Sequence, residues 1–139
     1  MADKIIIKAS IQQEKAKVWD HYTTPEHIVN WNFASHDWCC PKAENDMKLG
    51  GIYKARMEAK DGSFGFDFEA KYTAINEGNS FSYQLTDGRS VDLEMIQGSN
   101  ETLVQMSFDP EKVNSIEMQK QGWQAILDNF KSYSESLDT

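Results

Sequence analysis

The feature that most constrains this chain is a change of hydrophobic period. Apolar residues alternate with polar ones from Tyr53 to Phe108, and beyond Asp109-Pro110 they recur at steps of three, four or seven. The first pattern is that of successive half-buried strands and the second that of an amphipathic helix. A curved antiparallel sheet followed by one long helix can enclose an apolar space, so the expected class is α+β.

Tyr53, Ala55, Met57 and Ala59 share one parity, and Asp61-Gly62 is a strong hairpin turn. Phe64, Phe66, Phe68, Ala70 and Tyr72 then face one way, until Ile75 breaks the parity and predicts a bulge or strand end. Phe81, Tyr83 and Leu85, then Val91, Leu93 and Met95, then Val104, Met106 and Phe108 make three further strands, separated by Asp87-Gly88 and Gly98-Ser99-Asn100. Short turns between consecutive strands predict an antiparallel meander. Val113, Ile116, Trp123, Ile126, Leu127, Phe130, Tyr133 and Leu137 mark the closing helix, of about six to seven turns. Gly122 interrupts it, which predicts close approach to a neighbour or to something bound.

Ahead of the meander, Ile5, Ile7, Ala9 and Ile11 define a first strand from about Lys4 to Gln12. Glu14 to Tyr22 reads as a short helix with Val18, Trp19 and Tyr22 inward. Thr24 as a cap and Pro25 at the first position predict a second helix over Glu26 to Trp31. From Phe33 to Asn45 neither period holds, so a loop is expected. The turn Asp46 to Gly51 follows, where Gly50-Gly51 permits positive backbone angles or close packing.

A chain of 139 residues can bury one core without staples, and a single domain over residues 1–139 is expected. With 22 acidic against 14 basic residues the net charge is −8, which argues against nucleic acid and against anionic membrane surfaces. The N-terminus carries no apolar leader pattern, and the chain is expected to be cytoplasmic and monomeric. Cys39 and Cys40 are adjacent, and a bridge between neighbours would staple nothing.

Several features together resemble a known family. They are Val18-Trp19-Asp20, Thr24-Pro25-Glu26-His27-Ile28, Trp31, the Asp46 to Gly51 turn with Tyr53 and Arg56, Asp61-Gly62, Glu101-Thr102, and Gly122-Trp123 with Leu127. In order and spacing they resemble the C-terminal domain of the Hsp90 ATPase activator Aha1, in particular its bacterial single-domain relatives within the START-like (SRPBCC, Bet v 1-like) superfamily. The resemblance implies a helix-grip fold: a curved six-stranded antiparallel sheet around a long C-terminal helix, with two short helices after the first strand. It also implies a cavity for a hydrophobic molecule, a lipid among the options, which some relatives use for cyclisation or hydrolysis.

The candidate binding residues are Trp31, Phe33, Trp38, Phe66, Phe68, Tyr83, Trp123 and Phe130, joined by Met57, Met95, Met106 and Leu127. Flat rings make apolar walls, Tyr and Trp add a polar handle, and thioethers adapt to varied shapes. The same side chains could equally fill a solid core. His36-Asp37-Trp38-Cys39 brings an imidazole, a carboxylate and a thiol into one segment, but a second ligand pair is missing, so neither metal nor cofactor is expected. His21 and His27 are expected to face solvent or bond locally. Arg56 falls on the polar parity; turned inward, it would anchor a carboxylate. The expected function is binding of a small hydrophobic molecule. The alternatives are an enzyme using the same cavity, with His36 or Tyr83 as acid or base, and a partner of an Hsp90 homologue.

Overall fold

The computed structural model describes residues 4–137. The elements in chain order are β1 (Ile5–Ile11), α1 (Lys15–Thr23), α2 (Pro25–Ile28), β2 (Trp38–Asn45), β3 (Ile52–Ala59), β4 (Gly65–Asn76), β5 (Ser80–Leu85), β6 (Ser90–Gln97), β7 (Thr102–Phe108) and α3 (Ile116–Ser136). All strand pairs are antiparallel, in the order β1-β7-β6-β5-β4-β3-β2. The meander runs through six consecutive strands, and β1 closes it by pairing with β7 from Ile5↔Phe108 to Ile11↔Thr102.

The sheet therefore has seven strands where six were expected. The added strand, β2, occupies most of the segment read as a loop, leaving residues 33–37 as the irregular stretch. Its alternation was hidden because the register shifts between Cys39 and Lys42, around Pro41, so the two halves point their side chains out of phase. The second irregularity falls between Tyr72 and Ala74, close to the parity break at Ile75. Gly50-Gly51 serves both roles assigned to it: Gly50 has φ +80°, and a Cβ on Gly51 would lie 2.1 Å from the Asp46 carbonyl oxygen.

Two helix boundaries also moved. The second helix is only four residues, followed by turns through Trp31. The last helix starts at Ile116, where the Ser115 side chain accepts a hydrogen bond from the Met118 N–H, and Val113 lies outside it at 89% exposure. Apolar spacing alone could not separate Val113 from the helix, whereas the cap does.

The core lies between the concave face of the sheet and α3. Trp123 stacks on Phe108 of β7 with ring centroids 4.1 Å apart and also meets Phe68 of β4 edge-on, so the helix spans much of the sheet's width. Phe130 is fully buried and packs edge-on against Tyr22 and Trp31, tying α3 to the short helices. Nothing lies within 4 Å of a Cβ placed on Gly122, so the expected close neighbour is absent there among the described residues.

Candidate functional site

Packing between the sheet and α3 is incomplete. A partly open cavity of about 370 Å³ remains, within the size range of small-molecule sites. Its sheet wall is Tyr53 and Met57 from β3, Phe66 and Phe68 from β4, Tyr83 from β5 and Met106 from β7. These positions share the concave face because side chains two residues apart on a strand project to the same side. The helix wall is Trp123, Ile126 and Leu127, whose spacing of three and four keeps them on one stripe of α3. Tyr22, Trp31 and Asn32 close the inner end. Phe66 is the one exposed lining residue, and Arg89 and Glu111 add the charged groups of the lining.

Polar groups are few and concentrated. Asn32 Nδ2 donates to Tyr53 Oη at 3.2 Å. The Asn32 segment is itself held by α3, since Asn129 Nδ2 donates to the Trp31 carbonyl at 2.8 Å. Tyr83 is 5% exposed and stacks beside Tyr53 with centroids 5.9 Å apart, and its hydroxyl has no hydrogen-bond partner among the described residues. No fully enclosed side-chain nitrogen or oxygen lacks a partner among them, so this oxygen meets the void rather than solid protein. The Tyr22 hydroxyl likewise bonds to no described residue. Burial pushes the phenols of Tyr22, Tyr53 and Tyr83 above their ordinary range, so all three stay protonated at neutral pH. Arg89, also in the lining, donates from Nε to Asp87 Oδ2 at 2.8 Å.

Eight of the twelve candidate binding residues converge on this space: Trp31, Met57, Phe66, Phe68, Tyr83, Met106, Trp123 and Leu127. Four do not. Phe130 lies in the core behind Tyr22 and Trp31, and Met95 is buried between neighbouring strands opposite Val104. Phe33 is half-buried on the segment after α2, outside the cavity lining. Trp38, on β2, packs edge-on against Phe64 and Phe66. Phe64 and Phe66 share the parity of the core residues of β4 but are 60% and 42% exposed.

Sequence reasoning missed Tyr22, Asn32, Tyr53, Arg89, Glu111 and Ile126 as lining residues. Tyr22, Tyr53 and Ile126 carried the right periodicity and were read as core. Asn32, Arg89 and Glu111 sit in irregular connecting segments, where no periodic signal exists.

The other candidates separate. Arg56 faces outward as its parity predicts, paired with Glu58 at 2.8 Å and Asp67 at 3.6 Å. His36 is exposed and does not line the cavity. Cys40 is buried and its thiol is pushed up to about 11, which leaves it unreactive at neutral pH. His21, expected to face solvent or bond locally, is instead 8% exposed and shares a hydrogen bond with Ser134 of α3.

Comparison with known proteins gives a consistent picture. Residues 13–135 match the family model described as activator of Hsp90 ATPase homolog 1-like protein. A solution structure of an AHSA1-like protein from Aeromonas hydrophila is 41% identical, with a TM-score of 0.91 over 96% of this chain and 92% of that one. A protein from Cytophaga hutchinsonii is 40% identical, with a TM-score of 0.83 over 96% and 93% of the two chains. A protein from Chromobacterium violaceum, at 18% identity and a TM-score of 0.85 over 99% of this chain and all of that one, shares the fold. No curated protein matches the chain. No helix among the described residues is long and apolar enough to cross a membrane.

Proposed function

This chain belongs to the activator of Hsp90 ATPase homolog 1-like family, and we propose that it binds a small, largely apolar molecule carrying a hydrogen-bonding oxygen in the cavity beneath α3. One observation carries this reading: the hydroxyl of Tyr83, a residue only 5% exposed, has no described protein partner and borders an open space walled otherwise by rings and thioethers. The hydroxyl is reached from the cavity, so an acceptor on the ligand can take up a donor that no described residue uses, for a net gain of about 0.5–1.5 kcal/mol. Protonated phenols at Tyr22, Tyr53 and Tyr83 suit binding by hydrogen-bond donation and supply no base for proton abstraction at neutral pH.

The test is an NMR titration of the protein with flat aromatic ketones and phenols and with medium-chain fatty acids. Saturable shifts at Phe68, Tyr83, Trp123 and Leu127 that are lost in a cavity-filling Met106→Trp variant support the reading. The absence of shifts with every compound, or equal shifts in the filled variant, overturns it.

A second reading is association with an Hsp90 homologue. It draws on the family description and on the exposed rings of Phe64 and Phe66 beside the β3–β4 turn, which pack on the half-buried Trp38 of β2. Stimulation of the homologue's ATPase that is abolished by Phe64→Ser supports it. No stimulation removes it.

A further inference from the structure

Away from the cavity, where α1 and α2 meet the last turns of α3, a second cluster forms. Asp20 and His21 are adjacent on α1, His27 is on α2, and one donor atom from each lies within 4.8 Å of the other two. The imidazoles meet edge to face with centroids 5.0 Å apart, and His27 Nε2 stands 3.5 Å from Asp20 Oδ2.

All three side chains are held from behind. His21 Nδ1 shares a hydrogen bond with Ser134 Oγ at 2.7 Å, and His27 Nδ1 shares one with Tyr133 Oη at 2.6 Å. Thr24 Oγ1 donates to Asp20 Oδ1 at 2.8 Å. A cation on Nε2 requires the ring proton on Nδ1 and an oxygen to accept it, and outer partners of this kind orient metal-bound histidines generally.

The geometry points to a site for a zinc-type divalent cation, held by Nε2 of His21 and His27 and the carboxylate of Asp20, with water completing the shell. Two imidazoles and one carboxylate with an open fourth position form a recurring three-ligand zinc set. Tetrahedral bonds of about 2.0–2.2 Å put donor atoms about 3.3 Å apart, so the widest gap must close by roughly 1.5 Å. His27 Nε2 and Asp20 Oδ2 already stand near that separation at 3.5 Å, and Asp20, 62% exposed, is the least confined of the three. The cation would clamp α1 to α2 while α3 provides the outer partners. None of the three ligands lines the cavity, so this inference stands apart from the proposed function.

The test is calorimetric titration of tag-free, EDTA-treated protein with zinc chloride near neutral pH, with histidine ring signals followed by NMR. One equivalent should bind, shifting His21 and His27 but not His36. His27→Gln and Asp20→Asn should each weaken binding at least tenfold, and Tyr133→Phe by about tenfold, with folding checked by circular dichroism. His36→Gln should have no effect. These variants carry the test because substituting the buried His21 risks misfolding. Absence of binding at millimolar zinc, or unchanged affinity in folded His27→Gln and Asp20→Asn, overturns the assignment.

Discussion

Leu127 and Phe130 lie on the same helix and are both buried, yet truncating them should cost different amounts, because one borders a void and the other does not. Leu127→Ala removes three carbons, at about 0.8 kcal/mol per methylene equivalent, for a transfer cost of about 2 kcal/mol. The additional cavity cost of about 24 cal/mol per Å³ largely disappears when the space beside the residue is already open. Phe130→Ala instead digs a new hole between Tyr22 and Trp31 and breaks two edge-on aromatic contacts, with centroid separations of 4.9 Å each. Such contacts are worth about 0.5–1.5 kcal/mol each beyond area, and the expected total is about 3–5 kcal/mol. Urea unfolding at constant m-value measures both changes. A loss for Leu127→Ala equal to that for Phe130→Ala would mean that the space beneath α3 closes in solution, and the cavity argument would fail with it.

Tyr83→Phe should leave stability within about 0.5 kcal/mol of wild type, since its hydroxyl bonds to no described residue, and should weaken any oxygen-bearing ligand by about two- to tenfold. Tyr72→Phe is the contrast, because its hydroxyl donates to Asn45 Oδ1 at 2.7 Å; it should cost about 1 kcal/mol in urea unfolding, and equal effects of the two would refute the assignment. Ser115→Ala removes the cap on Met118 and should cost about 1 kcal/mol, measured by thermal unfolding. The native His21 pKa lies below the ordinary 6.5, so the unfolded chain takes the proton first. In EDTA this contribution to stability should be complete above about pH 6.5 and decline as pH falls toward the depressed native value. NMR titration of the His21 ring in the wild-type protein should give a midpoint below 6.5, and a midpoint at or above that value would refute the assignment.

Local pattern alone determined the concave residues of β3 to β7, the turns at Asp61-Gly62 and Asp87-Gly88, and the apolar stripe of α3, because two-residue and near-four-residue periods are properties of neighbours along the chain. It also brought eight cavity-lining residues into view. Only the tertiary structure decided that β2 is a strand, since its register shift beside Pro41 erases the alternation that would mark it. It alone separated Phe130 and Met95, which fill the core, from Leu127 and Met106, which border open space; both pairs carry the same periodicity and differ only in what packs against them from other elements. Asn32, Arg89 and Glu111 reach the cavity from irregular segments, and the pairing of His21 and His27 with Ser134 and Tyr133 joins residues more than a hundred positions apart. Such meetings depend on where whole elements dock, which the spacing of residues along a single element does not encode.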